Sequence, residues 1–326
     1  MRVVLLPGDG IGAEVASAAA RVLRELPLEL ELEEHLFGGA AIRERGEPLP
    51  TPTLAACREA DAVLLGAVGA PELDGAEVRP EHGLIRLRAE LDVYANLRPA
   101  RGDGVDLLIV RELVGGLYYG ERGTRPDGTV FDTMEYRPEQ VERIARRAFE
   151  LARGRRGRVT SVDKANILAT SRLWREVVER VAPDYADVEL DHMLVDNCGL
   201  QLVLAPGRFD VLLTENTFGD ILSDVAAGVT GGLGLAGSAS LGDGRPGIFE
   251  PVHGSAPDIA GQGIANPAAM LRSAALMLRH GLGEPEQAWR LEQAVDAALA
   301  STPTPDLGGG ATTAEFTDAV LSAFRR

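Results

Sequence analysis

The chain alternates short apolar runs with longer segments in which apolar residues recur at helical spacing. The apolar runs predict strands at 2–6, 62–66, 106–110, 158–163, 188–195 and 209–214. Helical spacing predicts one helix that ends near Arg24 and another that begins at Gly219. It predicts five more helices, at 138–152, 171–181, 266–281, 285–300 and 313–325. Strands that alternate with helices in this way predict an α/β fold with a mainly parallel sheet and helices on its faces.

The charge of the chain limits its partners. Its 49 acidic residues outnumber its 33 lysines and arginines, and the formal net charge is −16. Because such a field repels phosphate, we expect no nucleic acid and no anionic membrane as a partner. A small anionic substrate is compatible with this charge where arginines cluster.

We expect neither a membrane span nor a signal peptide. No apolar run reaches about 18 residues, and the segment MRVVLLPGDGIG has no long apolar h-region. The two cysteines, Cys57 and Cys198, are too few for a disulfide framework. These features predict a cytosolic location.

Carboxylates in the segment FGDILSD suggest a metal site. Asp220 and Asp224 are four residues apart, so a helix places both on one face, where they offer oxygen ligands to a hard cation such as Mg²⁺ or Mn²⁺. A solvated helix face is the commoner reason for this spacing, but apolar residues flank the pair here. Asp196, at the predicted end of the strand DHMLV, is a candidate third ligand.

Basic and phenolic side chains suggest anion binding and proton transfer. Arg88, Arg98 and Arg111 can each grip a carboxylate through two hydrogen bonds, although in an arginine-rich chain a surface role is common. Lys164 is the only lysine, and it directly follows a predicted strand; unlike arginine, lysine can release its proton at working pH. Tyr118 is a candidate proton donor, with a core position as the alternative.

Glycine-punctuated segments suggest turns and a nucleotide-binding loop. The turn GDGIG at 8–12 lies between a strand and a helix but does not match the dinucleotide fingerprint. In the loop 253–267, Asp258 could accept hydrogen bonds from the ribose of NAD and repel the 2′-phosphate of NADP. The stretch 228–242 fits either a crossing between two lobes or ordinary turns.

Taken together, these segments resemble the β-decarboxylating dehydrogenase family, which includes isocitrate, isopropylmalate, homoisocitrate and tartrate dehydrogenases. The motifs that carry the resemblance occur in the family's order along essentially the whole chain: LPGDGIG, NLRP, VRELVGGLYYG, VDKAN, FGDILSD and FEPVHGSAPDIAG followed by GIANP. The resemblance implies a two-lobed α/β fold, distinct from the classical Rossmann fold, in a homodimer with shared active sites. The first lobe would comprise 1–98 plus 231–326 and carry the NAD-binding loops. The second, 99–230, would carry the dimer contact and the metal and catalytic residues.

By resemblance, each candidate residue acquires a role. Lys164 matches the general base and Tyr118 the general acid, while Arg88, Arg98 and Arg111 match the arginines that hold the substrate carboxylates. Asp220 and Asp224 would bind the metal together with Asp196, which would reach in from the partner subunit with Lys164. The positions that match the NAD site are Ile11, Glu81, His253, Gly254, Ser255, Ala256, Asp258 and Asn266. These roles imply metal-assisted oxidation of a 2-hydroxy diacid, hydride transfer to NAD⁺, loss of the β-carboxylate, and protonation assisted by Tyr118.

Within the family, the segment EHGLIRLR favours 3-isopropylmalate, and hence 4-methyl-2-oxopentanoate as the product in leucine biosynthesis. Leu84 and Ile85 offer apolar side chains to the variable substituent, where a third carboxylate would be costly. Other features favour homoisocitrate or a broader malate and tartrate activity: VDNCGLQLV is similar to the homoisocitrate branch, Arg86 could meet a charge, and ARGDGVD is short. A catalytically silent regulatory subunit is disfavoured because Lys164, Tyr118 and the arginines and aspartates of the motifs are all present.

Overall fold

The structure is a computed structural model that describes residues 1–102, 104–244 and 246–325. Numbered in chain order, the strands are β1 (Arg2–Gly8), β2 (Glu31–Glu34), β3 (Ala62–Ala67), β4 (Ala95–Gly102), β5 (Val105–Glu112), β6 (Arg122–Thr124), β7 (Val130–Asp132), β8 (Arg158–Asp163), β9 (Glu189–Leu194), β10 (Val211–Thr214), β11 (Gly237–Leu241) and β12 (Gly247–Pro251). The α-helices are α1 (Gly12–Leu23), α2 (Gly38–Arg45), α3 (Thr51–Glu59), α4 (Pro80–Glu90), α5 (Pro138–Arg153), α6 (Ala169–Val181), α7 (Val195–Leu204), α8 (Asn216–Val229), α9 (Ala268–Leu276), α10 (Pro285–Ser301) and α11 (Thr313–Phe324). The predicted α/β class is confirmed.

The first of two compact units comprises Met1–Val93 and Leu233–Arg326. Its strands lie in the order β2, β1, β3, β12, β11, and all neighbours are parallel except β11 and β12. Every residue of β3 is buried. A parallel strand covered by helices on both faces is expected to be apolar throughout, which explains the unbroken run AVLLGA.

The second unit comprises Tyr94–Gly232, and its strands lie in the order β4, β5, β10, β8, β9. Only β4 is antiparallel to its neighbour; β5, β10, β8 and β9 are parallel, and Thr214 of β10 lies opposite Arg111 of β5 and Val162 of β8. β6 and β7 form a separate hairpin. The carboxyl ends of four parallel strands therefore meet along one edge, where ligands of α/β proteins usually bind.

Helix α5 shows why the helical spacing predicted its position well. Pro138 occupies its first turn, where no backbone N–H is needed, and most of its apolar residues, including Val141, Ile144, Ala148 and Phe149, are buried. This face packs against β5, β8 and β10. The polar residues lie on the opposite side of the helix.

The structure corrects one prediction around 188–195. The strand β9 ends at Leu194, and Val195 begins α7, so Asp196 lies in the first turn of a helix rather than at a strand end. The sequence VDNCGLQLVL is short and apolar, and at that length periodicity does not separate a strand from a helix.

The sequence predicted lobe boundaries between residues 98 and 99 and between 230 and 231. In the structure, the chain passes from one compact unit to the other between Val93 and Tyr94 and between Gly232 and Leu233. The chain thus passes from the second unit to the first within the glycine-rich stretch 228–242. The functions that the resemblance assigns to each lobe stay predictions. In the described part of the chain, no helix has the length and apolar character needed to cross a membrane.

Candidate active site

A cluster of charged side chains in the second unit is centred on Asp220. Its carboxylate accepts hydrogen bonds from Arg111 Nη1 and from the Tyr118 hydroxyl at 2.9 Å, and Arg98 Nη2 lies 3.3 Å away. Asp224, one turn later on α8, lies 3.7 Å from Arg98 Nη1. Five of the residues predicted from three motifs therefore lie together: Arg98 on β4, Arg111 on β5, Tyr118 in the turn after β5, and Asp220 and Asp224 on α8.

Helix α8 reaches this position through a close approach at Gly219. A Cβ there would lie 2.3 Å from Thr214 Oγ1 and 2.7 Å from Arg111 Cγ, so any side chain would push the helix away. Glu215 caps the helix from the preceding position, and its carboxylate accepts from the backbone N–H groups of Thr217, at 3.0 Å, and Phe218. The glycine and the cap together fix where Asp220 lies.

The electrostatics of the cluster suit a proton donor and a cation. Burial raises the pKa of the Tyr118 hydroxyl, and the adjacent Asp220 charge raises it further, so Tyr118 carries its proton at neutral pH. Partial burial also raises the pKa of Asp224; Arg98 opposes this shift and Asp220 adds to it. A bound cation would offset the repulsion between the Asp220 and Asp224 carboxylates.

Lys164 and Asp196 form a separate pair: Lys164 directly follows β8, and Asp196 lies in the first turn of α7. Lys164 Nζ donates to Asp196 Oδ1, and this hydrogen bond lowers the pKa of the Asp196 carboxyl. The side chains are 27% and 64% exposed, respectively. β8 lies two strand positions from β5, roughly 10 Å, so the pair lies to one side of the Asp220 cluster.

The three predicted metal ligands do not meet within one chain. No group of three or more His, Cys, Asp or Glu side chains in the described ranges is positioned to hold a metal ion. Asp220 and Asp224 share one face of α8. Asp196 lies on α7, where its carboxylate is paired with Lys164. The described residues of one chain thus bring together two of the three predicted ligands, Asp220 and Asp224.

In the first unit, α4 carries three of the five residues predicted to contact substrate. Arg88 Nη2 lies 2.7 Å from Glu250 Oε1 of β12, and both side chains are largely buried. Leu84 and Ile85 are half-buried, and Glu81, in the first turn, is exposed. Apolar and cationic side chains thus occur on the same short helix.

The turn GDGIG holds the loop that carries most of the predicted NAD-binding residues. Ile11 N donates to Ser255 O at 2.8 Å, and Gly10, at φ +54°, approaches so closely that a Cβ would lie 2.0 Å from the same oxygen. Ser255 is buried, Gly254 is exposed, and Ala256 adopts a φ of 38°, which is uncommon for a residue other than glycine. The backbone of this loop is therefore closely defined.

Two side chains of this loop differ in how well their polar atoms are satisfied. His253 Nδ1 lies 2.9 Å from the Gly254 carbonyl, to which it donates, whereas its buried Nε2 has no hydrogen-bond partner among the described residues. Burial lowers the pKa of His253, so the ring is neutral and Nε2 is an acceptor. Asn266 donates to Asp306 at 3.0 Å and accepts from Ala268 N at 2.9 Å, and Asp258 is exposed.

Several residues that shape the site were not predicted from the sequence. Glu14 of α1 accepts from the backbone N–H groups of Gly263, at 3.3 Å, and Ala265, at 3.0 Å, and so anchors the 253–267 loop. Asn216 lies fully buried beside Arg111. The only signal for Asn216 was its position at the start of a helix that directly follows a strand.

Behind Arg111, the buried carboxyl of Glu112 makes stability depend on pH. Burial raises the pKa of Glu112 to about 7 from the ordinary 4.5, despite a hydrogen bond from Val114 N at 3.1 Å. Between these two values the folded protein keeps a proton that the unfolded chain has released, so stability falls as pH rises through this window, by on the order of 3 kcal/mol.

We therefore expect Glu112→Gln to gain stability over the wild type as pH rises from about 5 to about 8, because the variant has no carboxyl to ionise. Urea unfolding at both pH values measures this difference. Glu189→Gln, which alters an exposed carboxyl on β9, is the control and should follow the wild type. If the free energy of unfolding changed equally in Glu112→Gln and the wild type between the two pH values, Glu112 would already be ionised in the folded protein at the lower pH.

Comparison with known proteins identifies the family of this chain. The sequence profile of the isocitrate/isopropylmalate dehydrogenase family matches residues 2–320. A 3-isopropylmalate dehydrogenase from Deinococcus radiodurans is 52% identical, covering 99% of this chain and 97% of that protein. A 3-isopropylmalate dehydrogenase from Synechococcus sp. strain CC9605 is 54% identical, covering 92% and 91%.

Among solved structures, an isocitrate dehydrogenase from Methylococcus capsulatus is 40% identical, with a TM-score of 0.93 over 100% of this chain and 99% of that one. The resemblance inferred from the motifs is thus confirmed in both sequence and fold. The protein is a decarboxylating dehydrogenase that acts on a small organic acid. The chain belongs to the isocitrate/isopropylmalate dehydrogenase family.

Proposed function

We propose that this enzyme oxidises and decarboxylates 3-isopropylmalate to 4-methyl-2-oxopentanoate in leucine biosynthesis, with NAD⁺ and either Mg²⁺ or Mn²⁺. The observation that carries the proposal is the cluster of Arg98, Arg111, Tyr118, Asp220 and Asp224, which combines carboxylate-binding, proton-donating and cation-binding groups. The names of the most similar relatives support the choice of substrate.

The arginines would hold and orient the substrate. Arg98 and Arg111 converge on Asp220, so their guanidinium groups already lie where carboxylate oxygens can be bound. Arg88, which pairs with Glu250 in the first unit, is the third arginine that the resemblance assigns to the substrate carboxylates. Holding the carboxylates in one orientation lets oxidation and decarboxylation use the same geometry.

The donor set fits a hard divalent cation. Asp220 and Asp224 offer carboxylate oxygens, and the raised pKa of Asp224 indicates that positive charge is favoured there. Asp196 of a partner subunit would supply the third carboxylate. When bound, the cation supplies positive charge that stabilises oxygen anions of the substrate.

Two protein groups would move protons. Lys164, offered by the partner subunit, would take the proton of the 2-hydroxyl group through its Nζ. Tyr118, whose raised pKa keeps it protonated, would donate a proton to carbon after the β-carboxylate is lost. Its hydrogen bond to Asp220 orients the hydroxyl for that step.

The loop 253–267 fits NAD. The unpartnered, neutral Nε2 of His253 is an acceptor that an amino or hydroxyl group of adenosine would satisfy. The exposed carboxylate of Asp258 suits the ribose hydroxyls of NAD and disfavours the 2′-phosphate of NADP. Ile11 and Glu81 would lie near the nicotinamide, which accepts the hydride when the cofactor is bound.

A second copy of this chain would complete the site through α7 and α8. These two helices contact each other and expose large apolar side chains, which are Leu200, Val203, Leu204 and Ile221. Such a concentration of exposed apolar side chains favours burial against another surface. Because the same helices carry all three aspartates, pairing two chains there would bring Asp196 and Lys164 to the partner's cluster.

A tricarboxylate such as isocitrate or homoisocitrate is the second candidate substrate, favoured by the likeness to the Methylococcus capsulatus isocitrate dehydrogenase. Arg86 is the residue of α4 that would meet an extra carboxylate, but it is exposed and lies near Glu47, at 4.0 Å, and Glu90, at 3.8 Å. Leu84 and Ile85 offer no charge. The helix therefore favours the apolar substituent.

The deciding experiment measures NADH formation with 3-isopropylmalate, homoisocitrate, isocitrate, malate and tartrate. We expect kcat/KM to be at least about tenfold higher for 3-isopropylmalate than for the others. Apolar side chains discriminate against the third carboxylate of isocitrate and homoisocitrate, and malate and tartrate lack the apolar group that these side chains would bind. Preference for a tricarboxylate would contradict the proposed substrate.

The same assay tests the metal. EDTA should stop turnover, and excess Mg²⁺ or Mn²⁺ should restore it. A rate indifferent to EDTA would argue against the three-aspartate site. Replacing NAD⁺ with NADP⁺ in parallel tests the role of Asp258.

A further inference from the structure

Asn216 is a fully buried amide whose hydrogen-bonding groups are all engaged. Its Oδ1 accepts from Arg111 Nε at 3.0 Å and Arg111 Nη2 at 2.6 Å. Its Nδ2 donates to the carbonyls of Leu113 at 3.1 Å and Gly115 at 2.9 Å. Only an amide, with an acceptor on one side and two donors on the other, satisfies both sets of partners.

The position of Asn216 links three parts of the site. It is the first residue of α8, one turn before Asp220, and its backbone N–H donates to the Tyr136 hydroxyl at 3.0 Å. The carbonyls that it holds belong to the turn that leads from β5 to Tyr118. The Asn216 side chain therefore connects the start of α8 to the turn after β5 and to the guanidinium of Arg111.

The acceptor that Asn216 presents to Arg111 is also neutral. Some other guanidinium groups of the chain form two hydrogen bonds to a carboxylate, as Arg175 does with Asp163 and Arg279 with Glu292. A second carboxylate beside Arg111, in addition to Asp220, would draw on the same positive charge that a substrate carboxylate needs.

The same arrangement recurs at Arg98. Its Nε donates to Asn96 Oδ1 at 2.7 Å and its Nη1 to Ser223 Oγ at 2.7 Å. Asn96 is fully buried and lies opposite Arg111 across the β4–β5 pair. Both arginines of the cluster are thus held from behind by neutral side chains.

We propose that Asn216 is a positioning residue that orients Arg111 towards a substrate carboxylate while leaving the charge of Arg111 available for it. This inference rests on the proposed role of Arg111 in binding the substrate. Asn216 itself acts only through the guanidinium and the turn that it holds.

The test is Asn216→Asp, which keeps the shape of the side chain, adds a negative charge and removes the donors to the two carbonyls. We expect the KM for 3-isopropylmalate to rise about tenfold or more, with the KM for NAD⁺ changed less than about twofold. A merely structural role would instead change both KM values along with the thermal stability. An unchanged KM for substrate, or equal changes in both KM values, would overturn the inference.

Two further variants keep the test decisive. Asn216→Ser removes the amide without adding charge, so its KM for substrate should rise less than that of Asn216→Asp, even where it unfolds at a lower temperature. Gln287→Glu makes the same change of amide to carboxylate beside Arg290, whose Nη1 lies 3.4 Å from Gln287 Oε1, on α10 of the first unit, and should leave both KM values unchanged. If the KM for substrate rose more in Asn216→Ser than in Asn216→Asp, the claim that a neutral side chain is needed beside Arg111 would be wrong.

A double-mutant cycle with Arg111→Lys tests whether Asn216 acts through Arg111. The effect of Asn216→Asp on substrate KM should be much smaller in the Arg111→Lys background, and additive effects would contradict the inference. Absence of wild-type turnover on every 2-hydroxy acid tested would overturn the proposed function and this inference together. Wild-type turnover with an unchanged Asn216→Asp KM overturns the inference alone.

Discussion

Replacing Lys164 with methionine is expected to lower kcat by about 10²- to 10⁴-fold while leaving the affinity for NAD⁺ unchanged. Methionine has a similar length but cannot accept the proton of the 2-hydroxyl group, and general base catalysis contributes rate factors of this size. The side chain is part of no contact described for the 253–267 loop, so cofactor binding should not depend on it. Steady-state kinetics and titration of NADH fluorescence measure the two quantities.

A second variant separates charge from proton transfer. Lys164→Arg keeps a positive charge beside Asp196 but cannot release its proton at working pH, so we expect it to be as inactive as Lys164→Met. Arg158→Met, at the other end of the same strand, is the matched control and should retain activity. A kcat within tenfold of the wild type in Lys164→Met would remove Lys164 from the role of base.

The second large effect is a recovery of activity when two inactive variants are mixed. Lys164→Met and Asp220→Asn should each be inactive alone, because every site in either homodimer lacks one essential group. In a mixed dimer, one site receives Lys164 from one chain and Asp220 from the other. Equal, randomly exchanged mixtures should therefore recover about a quarter of the wild-type activity.

The matched control for this experiment mixes Lys164→Met with Asp196→Asn. Both residues would be offered to the partner, so each site in that mixed dimer lacks one of them and no activity should return. Refolding the variants together from denaturant and measuring NADH formation distinguishes the cases. Sites contained within a single chain predict no recovery in either mixture.

The sequence predicted what local pattern determines and missed what distant contacts determine. The strand–helix alternation and the pair Asp220 and Asp224 follow from spacing alone. The bonds that hold Arg111 depend on Asn216, which is 105 residues away along the chain. Glu14 reaches the backbone of Gly263 across a separation of 249 residues. Neither contact leaves a periodic signal.

The error at Asp196 has a related cause. Leucine and valine occur in both buried strands and apolar helices, so the run that ends β9 and opens α7 does not mark the boundary between them. The helix at 195–204 was accordingly missed. Its exposed apolar residues, Leu200, Val203 and Leu204, could be recognised only once the helix and its burial were known.

Lys164, directly after β8, contacts Asp196 in the first turn of α7, so one chain would carry the base and the third carboxylate as a unit. Each chain would then lose or gain both groups together when dimers dissociate or exchange. At protein concentrations below the dissociation constant of the dimer, the initial rate should vary with the square of the enzyme concentration rather than in proportion to it. Dilution would thus act on this enzyme as an inhibitor does, and the amount of protein in a cell would help to set the activity of each molecule.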